Sequence, residues 1–215
     1  MIAVTNRHLV KGDFFAQMEK VIELSPKAII LREKDVSIKE YDEILGSLIS
    51  FVINKSMPAS NDKKVAEVYQ SVDCASTGYS QITVYIHSHM DLVSKYINIY
   101  PHIGVHFPFH ILNEKRDEIR KMKSQNQISV SVSCHTIDEV SFAATLGADQ
   151  VILGNIFETD CKKGLPGKGL AFLSEAVAST ILPVYGIGGI TLDNINYLLD
   201  KGAAGGCMMS GFMYL

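Results

Sequence analysis

A (β/α)8 barrel is the fold class this sequence predicts, and three observations predict it. Eight short apolar or β-branched runs recur along the chain, at residues 2–5, 28–32, 82–86, 103–106, 128–133, 150–153, 183–187 and 205–209. Stretches with helical periodicity separate them, at 14–24, 38–53, 90–96, 113–122, 137–146, 170–178 and 192–201, and strands that alternate with helices build parallel sheets. The length of 215 residues suits one compact barrel domain spanning the chain. An open doubly wound sheet shares the alternation. It would favour a glycine-rich dinucleotide turn after the first strand, and Thr5-Asn6-Arg7-His8 is not one.

The element boundaries carry their own signals. Ser37 with Glu40, Thr136 with Glu139 and, more weakly, Thr191 with Asn194 have the spacing of helix-starting caps. Gly147 and Gly202 stand just past periodic runs, where a helix ends. Residues 54–81 break the rhythm: they are polar and weakly periodic, and predict an irregular insertion with one extra turn near Ala66 to Tyr69. The chain ends at Leu215, soon after the eighth strand, which predicts a shortened last helix. That would leave Phe212, Met213, Tyr214 and Leu215 as an apolar flank for a second copy to cover, a possible homo-oligomer.

Composition narrows the function classes. A net charge of −3 gives no reason to expect nucleic acid or an anionic membrane as partner. No apolar run reaches the roughly 18–20 residues of a membrane span, and Met1 leads directly into the first strand with no leader pattern. Cys74, Cys134, Cys161 and Cys207 are scattered, as reduced thiols of a cytoplasmic protein would be.

In a barrel the working face lies at the C-terminal ends of the strands. The loop GNIFETDCKKGLPGKG, 154–169, follows the sixth strand, and its glycines and lysines suit a mobile cationic flap over an anion. GIGGI at 186–190 and MMSG at 208–211 end the last two strands, where barrels commonly hold phosphate on backbone N–H groups. Gly188, Gly189, Met209 and Ser210 are the candidates there, although a tight turn alone would also need the glycines. Arg32 and Lys34 in LREKD share one side of a strand end and could face a phosphate or carboxylate, or pair with Glu33 and Asp35 on a solvated rim. Ser131, Ser133 and His135 share one face of SVSCH, opposite Val130 and Val132. A histidine there can transfer protons near neutral pH, though a structural histidine fits the same pattern. His87 with His89, and His102, His106 and His110, have ligand-like spacing, but no acidic or thiol partner completes a set, so no metal site is assigned. Cys161 beside Lys162 has no evident base partner for a nucleophile's role.

Taken in order, LREKD, GVH, SVSCHTIDEV, GADQVILGNIFETDCKKGLPGKGL, LPVYGIGGIT and GAAGGCMMSG resemble the thiamine-phosphate synthase superfamily of (β/α)8 (TIM) barrels over nearly the whole chain. FETDCKKGL is most similar to the thiazole tautomerase (TenI) branch. That resemblance implies an isomerase of thiamine biosynthesis that aromatises a 2-carboxy-thiazole phosphate tautomer. It implies His135 as the proton-transfer residue and no cofactor. Gly188, Gly189, Met209, Ser210, Thr159 and Lys162 would then bind the phosphate, while Arg32, Lys34 and Ser133 contact the substrate. The synthase branch is the alternative, joining a pyrimidine pyrophosphate to a thiazole phosphate with Mg²⁺; a non-catalytic thiazole phosphate binder is another. Where the synthase pattern has an Asn-Asp pair and an acidic residue for the metal, this chain reads His87-Ser88 and His110-Ile111, and Ile30 replaces a glutamine. Imidazole and isoleucine serve a hard Mg²⁺ poorly.

Overall fold

Each of the eight apolar runs becomes a strand that is buried on both faces, which is why the runs read as near-continuous Val, Ile and Leu. A computed structural model describes residues 1–56, 82–159 and 163–215. Its strands are β1 Ile2–Val4, β2 Ala28–Leu31, β3 Thr83–His87, β4 Ile103–Pro108, β5 Ser129–Cys134, β6 Gln150–Gly154, β7 Val184–Ile187 and β8 Gly205–Met208. They pair in parallel in chain order, and β8 closes on β1 through Ile2↔Cys207 and Ala3↔Met208.

Alternation along the strands divides the core into two layers. Ile2, Val4, Ala28, Ile30, Tyr85, Ile152, Tyr185 and Cys207 point into the barrel and pack on one another. Their neighbours Ala3, Ile29, Leu31, Val84, Ile86, Val130, Val132, Val151 and Leu153 point outward and join the helices in the larger cluster. The barrel interior is therefore filled below the rim, and a cavity opens at its C-terminal end.

The helices follow from their caps. The Asp13 carboxylate accepts from the Ala16 N–H at 2.7 Å and starts α1, Phe14–Glu23. Ser37 and Glu40 exchange hydrogen bonds of 2.9 and 3.2 Å ahead of α2, Ile38–Ser56. Thr136 and Glu139 form the reciprocal capping box of α6, Ile137–Ala143. Gly147 and Gly202 adopt φ of 94° and 82°, in the left-handed region that stops a helix.

Other boundaries differ from the sequence pattern. The 90–96 helix starts as a 3₁₀ turn at Met90–Leu92 before α3, Val93–Tyr96. The 113–122 helix begins earlier and is broken by Lys115, at φ −101° and ψ 17°, into α4, Phe109–Glu114, and α5, Arg116–Asn126. After α7, Gly169–Ala178, the 192–201 run shortens to α8, Ile195–Leu199. Neither Gly nor Pro marks the Lys115 break, so no residue type announced it.

The last helix is short, α9 at Ser210–Met213. The proposed apolar flank is smaller than expected, because Phe212 and Met213 are buried in the chain's own core. Gln17 Nε2 donates to the Phe212 carbonyl at 2.7 Å and holds that turn against α1. Tyr214 and Leu215 alone of the four stay exposed. Residues 57–81 of the expected insertion, including Ala66, Tyr69 and Cys74, lie outside the described residues, as do Cys161 and Lys162. Cys134 and Cys207 are free and buried. No helix among the described residues is long and apolar enough to cross a membrane.

Candidate active site

The open end of the barrel is a cavity of about 600 Å³. Val4, Ile30, Ile152 and Cys207, the upper members of the interior layer, make its apolar floor. Arg32, Lys34, Ser133, His135, Thr159, Gly188, Gly189, Met209 and Ser210 all line it. The structure thus brings together every expected site residue except Lys162, which is not among those described.

One wall is backbone. Gly188 and Gly189 hold φ of 102° and 64° after β7. A Cβ on Gly188 would sit 2.7 Å from the Asn155 Cβ, and one on Gly189 would sit 2.6 Å from the Glu158 carbonyl oxygen. Only glycine fits. The start of the 154–169 loop lies against this turn, with the Ile156 N–H donating to Ile187 O at 2.9 Å and the Phe157 N–H to Gly188 O at 3.0 Å. Among the described residues no hydrogen bond engages the N–H groups of Gly188, Gly189 or Ser210. Thr159, Gly189 and Ser210 also border a second recess with Lys163.

The opposite wall is cationic. Glu33 and Asp35 do not pair with Arg32 and Lys34. Instead Glu33, 3% exposed, accepts from the Thr5 hydroxyl at 2.6 Å and from the Arg7 N–H at 3.2 Å. Asp35 takes a bidentate pair of 2.9 Å bonds from Arg7. The Thr5 hydroxyl oxygen also accepts from the Arg32 N–H at 2.9 Å. These bonds fix the rim and leave the Arg32 and Lys34 side chains facing the cavity without an ion pair among the described residues. Arg32, and then burial, draws the Lys34 ammonium below its usual range.

Two buried histidines lie beside this corner. His106 is held by the hydroxyls of Ser131 at 2.9 Å and Ser133 at 2.8 Å. Burial, then the charges of His87, Arg32 and Lys34, push its pKa down to about 3. His87 stands 5.7 Å away, ring to ring, and burial followed by Arg32 and Lys34 lowers it to about 4. Both rings are neutral near pH 7.

The histidine metal reading is not supported. No group of three or more His, Cys, Asp or Glu among the described residues is placed to hold an ion. Ser88, at φ 66°, turns the chain so that the His89 ring packs at a tilt against Tyr41, 4.5 Å between centroids. His102 packs edge-on against Tyr100 at 5.5 Å. Glu139 is the one carboxylate among the described cavity-lining residues, and its Oε2 is occupied by the N–H groups of His135 and Thr136. The donor set does not fit Mg²⁺, which takes carboxylate and water oxygens.

His135 follows β5 and is held on three sides. Its N–H donates to Glu139, its carbonyl accepts from Lys168 Nζ, and its Nδ1 meets the Gly154 carbonyl oxygen at 3.2 Å. A carbonyl only accepts, so Nδ1 carries a proton toward Gly154, and Nε2 is the ring nitrogen that this contact leaves unengaged. Sequence reading missed Glu33, Glu139 and Lys168 as parts of the site. Strand parity would have placed Glu33 opposite Arg32 and Lys34; nothing local marked Lys168.

Fold and rim together define a (β/α)8 barrel with a backbone cradle of the kind that receives phosphate, facing a cationic corner. The chain belongs to the thiamine monophosphate synthase (TMP-TENI) family, whose model matches residues 1–212. It is similar to the thiamine-phosphate synthase of Fusobacterium nucleatum subsp. nucleatum, 27% identical over 211 residues, 98% of this chain and 87% of that one. The thiamine-phosphate synthase of Alkaliphilus oremlandii is 27% identical over 212 residues, 98% and 86% of the two chains. That of Bacillus cereus is 40% identical over 85 residues, a match that spans 38% of each chain. Among solved structures, the thiamine phosphate pyrophosphorylase from Pyrococcus furiosus matches with a TM-score of 0.70 at 21% identity, over 99% of this chain and 86% of that one. That likeness shows the fold.

Proposed function

We propose that this member of the family is an isomerase that binds a carboxylated thiazole phosphate and moves one proton on it with His135. The observation that carries the reading is the His135 ring, whose Nδ1 is committed to Gly154 O while Nε2 is left as a base at the cavity. Gly188, Gly189, Met209 and Ser210 hold the phosphate in this reading, with Thr159 and, by family resemblance, Lys162 closing on it. Arg32 and Lys34 face the carboxylate, and Ser133, fixed by His106, contacts the ring between them. Nε2 takes a proton from the saturated ring carbon and returns it elsewhere on the conjugated system. No proton is gained or lost overall, and aromatisation drives the step. A positioned acid–base group contributes roughly 10²–10⁴-fold to such a transfer. No cofactor enters.

The second reading is the synthase, favoured by the names of the two relatives that align over 98% of this chain. Against it stands the donor set at the metal corner: His87, Ser88, His110 and Ile111 in place of acidic ligands. A pyrophosphate leaving group then lacks its charge stabiliser. Two assays on one preparation separate the readings. Conversion of the 2-carboxy tautomer without metal supports the isomerase. Thiamine phosphate formed from pyrimidine pyrophosphate, thiazole phosphate and Mg²⁺, with no isomerisation, supports the synthase.

A further inference from the structure

Both backbone polar groups of His135 are held by side chains, and one of the two comes from outside its own strand–helix unit. Glu139, whose carboxylate closes the α6 capping box on the Thr136 N–H, also accepts from the His135 N–H. On the other side of the same residue, Lys168 Nζ donates to the His135 carbonyl. Lys168 closes the 154–169 loop: its N–H donates to the Asn155 carbonyl at 3.0 Å, and the next N–H, of Gly169, to Ile156 at 2.9 Å. Its ammonium also lies 4.7 Å above the Phe172 ring, one turn into α7. The side chain is therefore steered at its base by the loop closure and along its length by an aromatic face. Gly154, which accepts from the imidazole, opens the loop that Lys168 closes.

We propose that Lys168 is a positioning residue for His135, coupling the closed end of the 154–169 loop to the orientation and tautomer of the imidazole. The bond to a carbonyl is charge-assisted, and it fixes the peptide plane after His135 while Glu139 fixes the one before. With both planes set, Nδ1 meets Gly154 O and Nε2 is left as the unengaged nitrogen of a ring that lines the cavity. Lys168 does not line the cavity, so it acts through His135 and not on the ligand. The inference rests on the isomerase reading for its kinetic consequence but not for its structural one.

The test compares the full chain with Lys168→Met and Lys168→Arg by nitrogen NMR of the His135 ring, alongside turnover of the 2-carboxy tautomer. The wild-type ring should show protonated Nδ1 and unprotonated Nε2. Lys168→Met should give the averaged signature of two exchanging tautomers, and Lys168→Arg should restore the single form. Turnover should fall about tenfold in Lys168→Met with KM within about twofold, because a misaimed base costs rate and not binding. Adding Lys168→Met to His135→Asn should cost nothing further. A wild-type ring signature in a folded Lys168→Met protein overturns the inference, as does a full additive loss in the double variant. A changed signature in a protein without isomerase turnover keeps the positioning role and removes the isomerase reading instead.

Discussion

The Nδ1 of His135 lies 3.2 Å from the carbonyl oxygen of Gly154, and that contact decides which ring nitrogen is available for chemistry. His135 follows β5 directly and Gly154 ends the adjacent β6, and the register of the two strands pairs Cys134 with Leu153 one step earlier. Barrel closure itself brings the carbonyl to the ring. His135→Asn removes the proposed base and leaves the Gly188–Gly189 turn untouched. Turnover should fall by about 10²–10⁴-fold, while calorimetry with the phosphorylated ligand should show an almost unchanged Kd.

The glycine wall is tested by Gly189→Ala. The new Cβ meets the Glu158 carbonyl oxygen at 2.6 Å and must adopt φ near 64°. The strain is on the order of 1–3 kcal/mol, and relief of it moves the N–H groups proposed to hold the phosphate. Binding of inorganic phosphate should weaken by tenfold or more, with a lower urea midpoint. Unaltered phosphate affinity would remove this turn from the anion site.

The cationic corner makes a selective prediction. Arg32→Met or Lys34→Met should weaken the carboxylated thiazole phosphate by about 10–100-fold, the value of a lost charge-assisted bond of roughly 1.5–3 kcal/mol. The same variants should bind the decarboxylated thiazole phosphate nearly as well as the parent. Equal losses for both ligands would place the phosphate, and not the carboxylate, at this corner.

Acid sensitivity follows from the buried histidines. The folded pKa values of His87 and His106, about 4 and about 3, lie below the ordinary 6.5. As pH falls the unfolded chain takes up protons first, so stability is whole above about 6.5 and declines toward about 4. The slope is about 1.4 kcal/mol per pH unit for each histidine. Urea unfolding across that window should show the decline, and His106→Asn should flatten it by about half. An unchanged slope in the variant would contradict the assignment.

Much of this architecture was legible because barrel strands buried on both faces cannot hide among polar residues. Gly147 and Gly202 mark real helix ends, and the Ser37–Glu40 and Thr136–Glu139 spacings mark real starts. Arg32, Lys34, Ser133, His135, Gly188 and Ser210 were readable as one rim from strand ends alone. What stayed hidden depends on contacts between distant segments. Glu33 looked solvated within a charged run, yet the Thr5 hydroxyl and Arg7 backbone from the neighbouring strand end bury it. His87 and His89 looked like a ligand pair until the left-handed turn at Ser88 separated them. Lys168 looked like one more loop lysine, since its acceptor is 33 residues away.

In the proposed reaction the His135 imidazole moves the proton without a metal. The most direct measurement is turnover of the 2-carboxy thiazole phosphate tautomer by protein treated with EDTA, followed as the aromatic ring's absorbance appears. Catalysis should proceed at the untreated rate, unchanged by added Mg²⁺ and lost in His135→Asn. No conversion in EDTA, with thiamine phosphate appearing once Mg²⁺ and both synthase substrates are supplied, would contradict it.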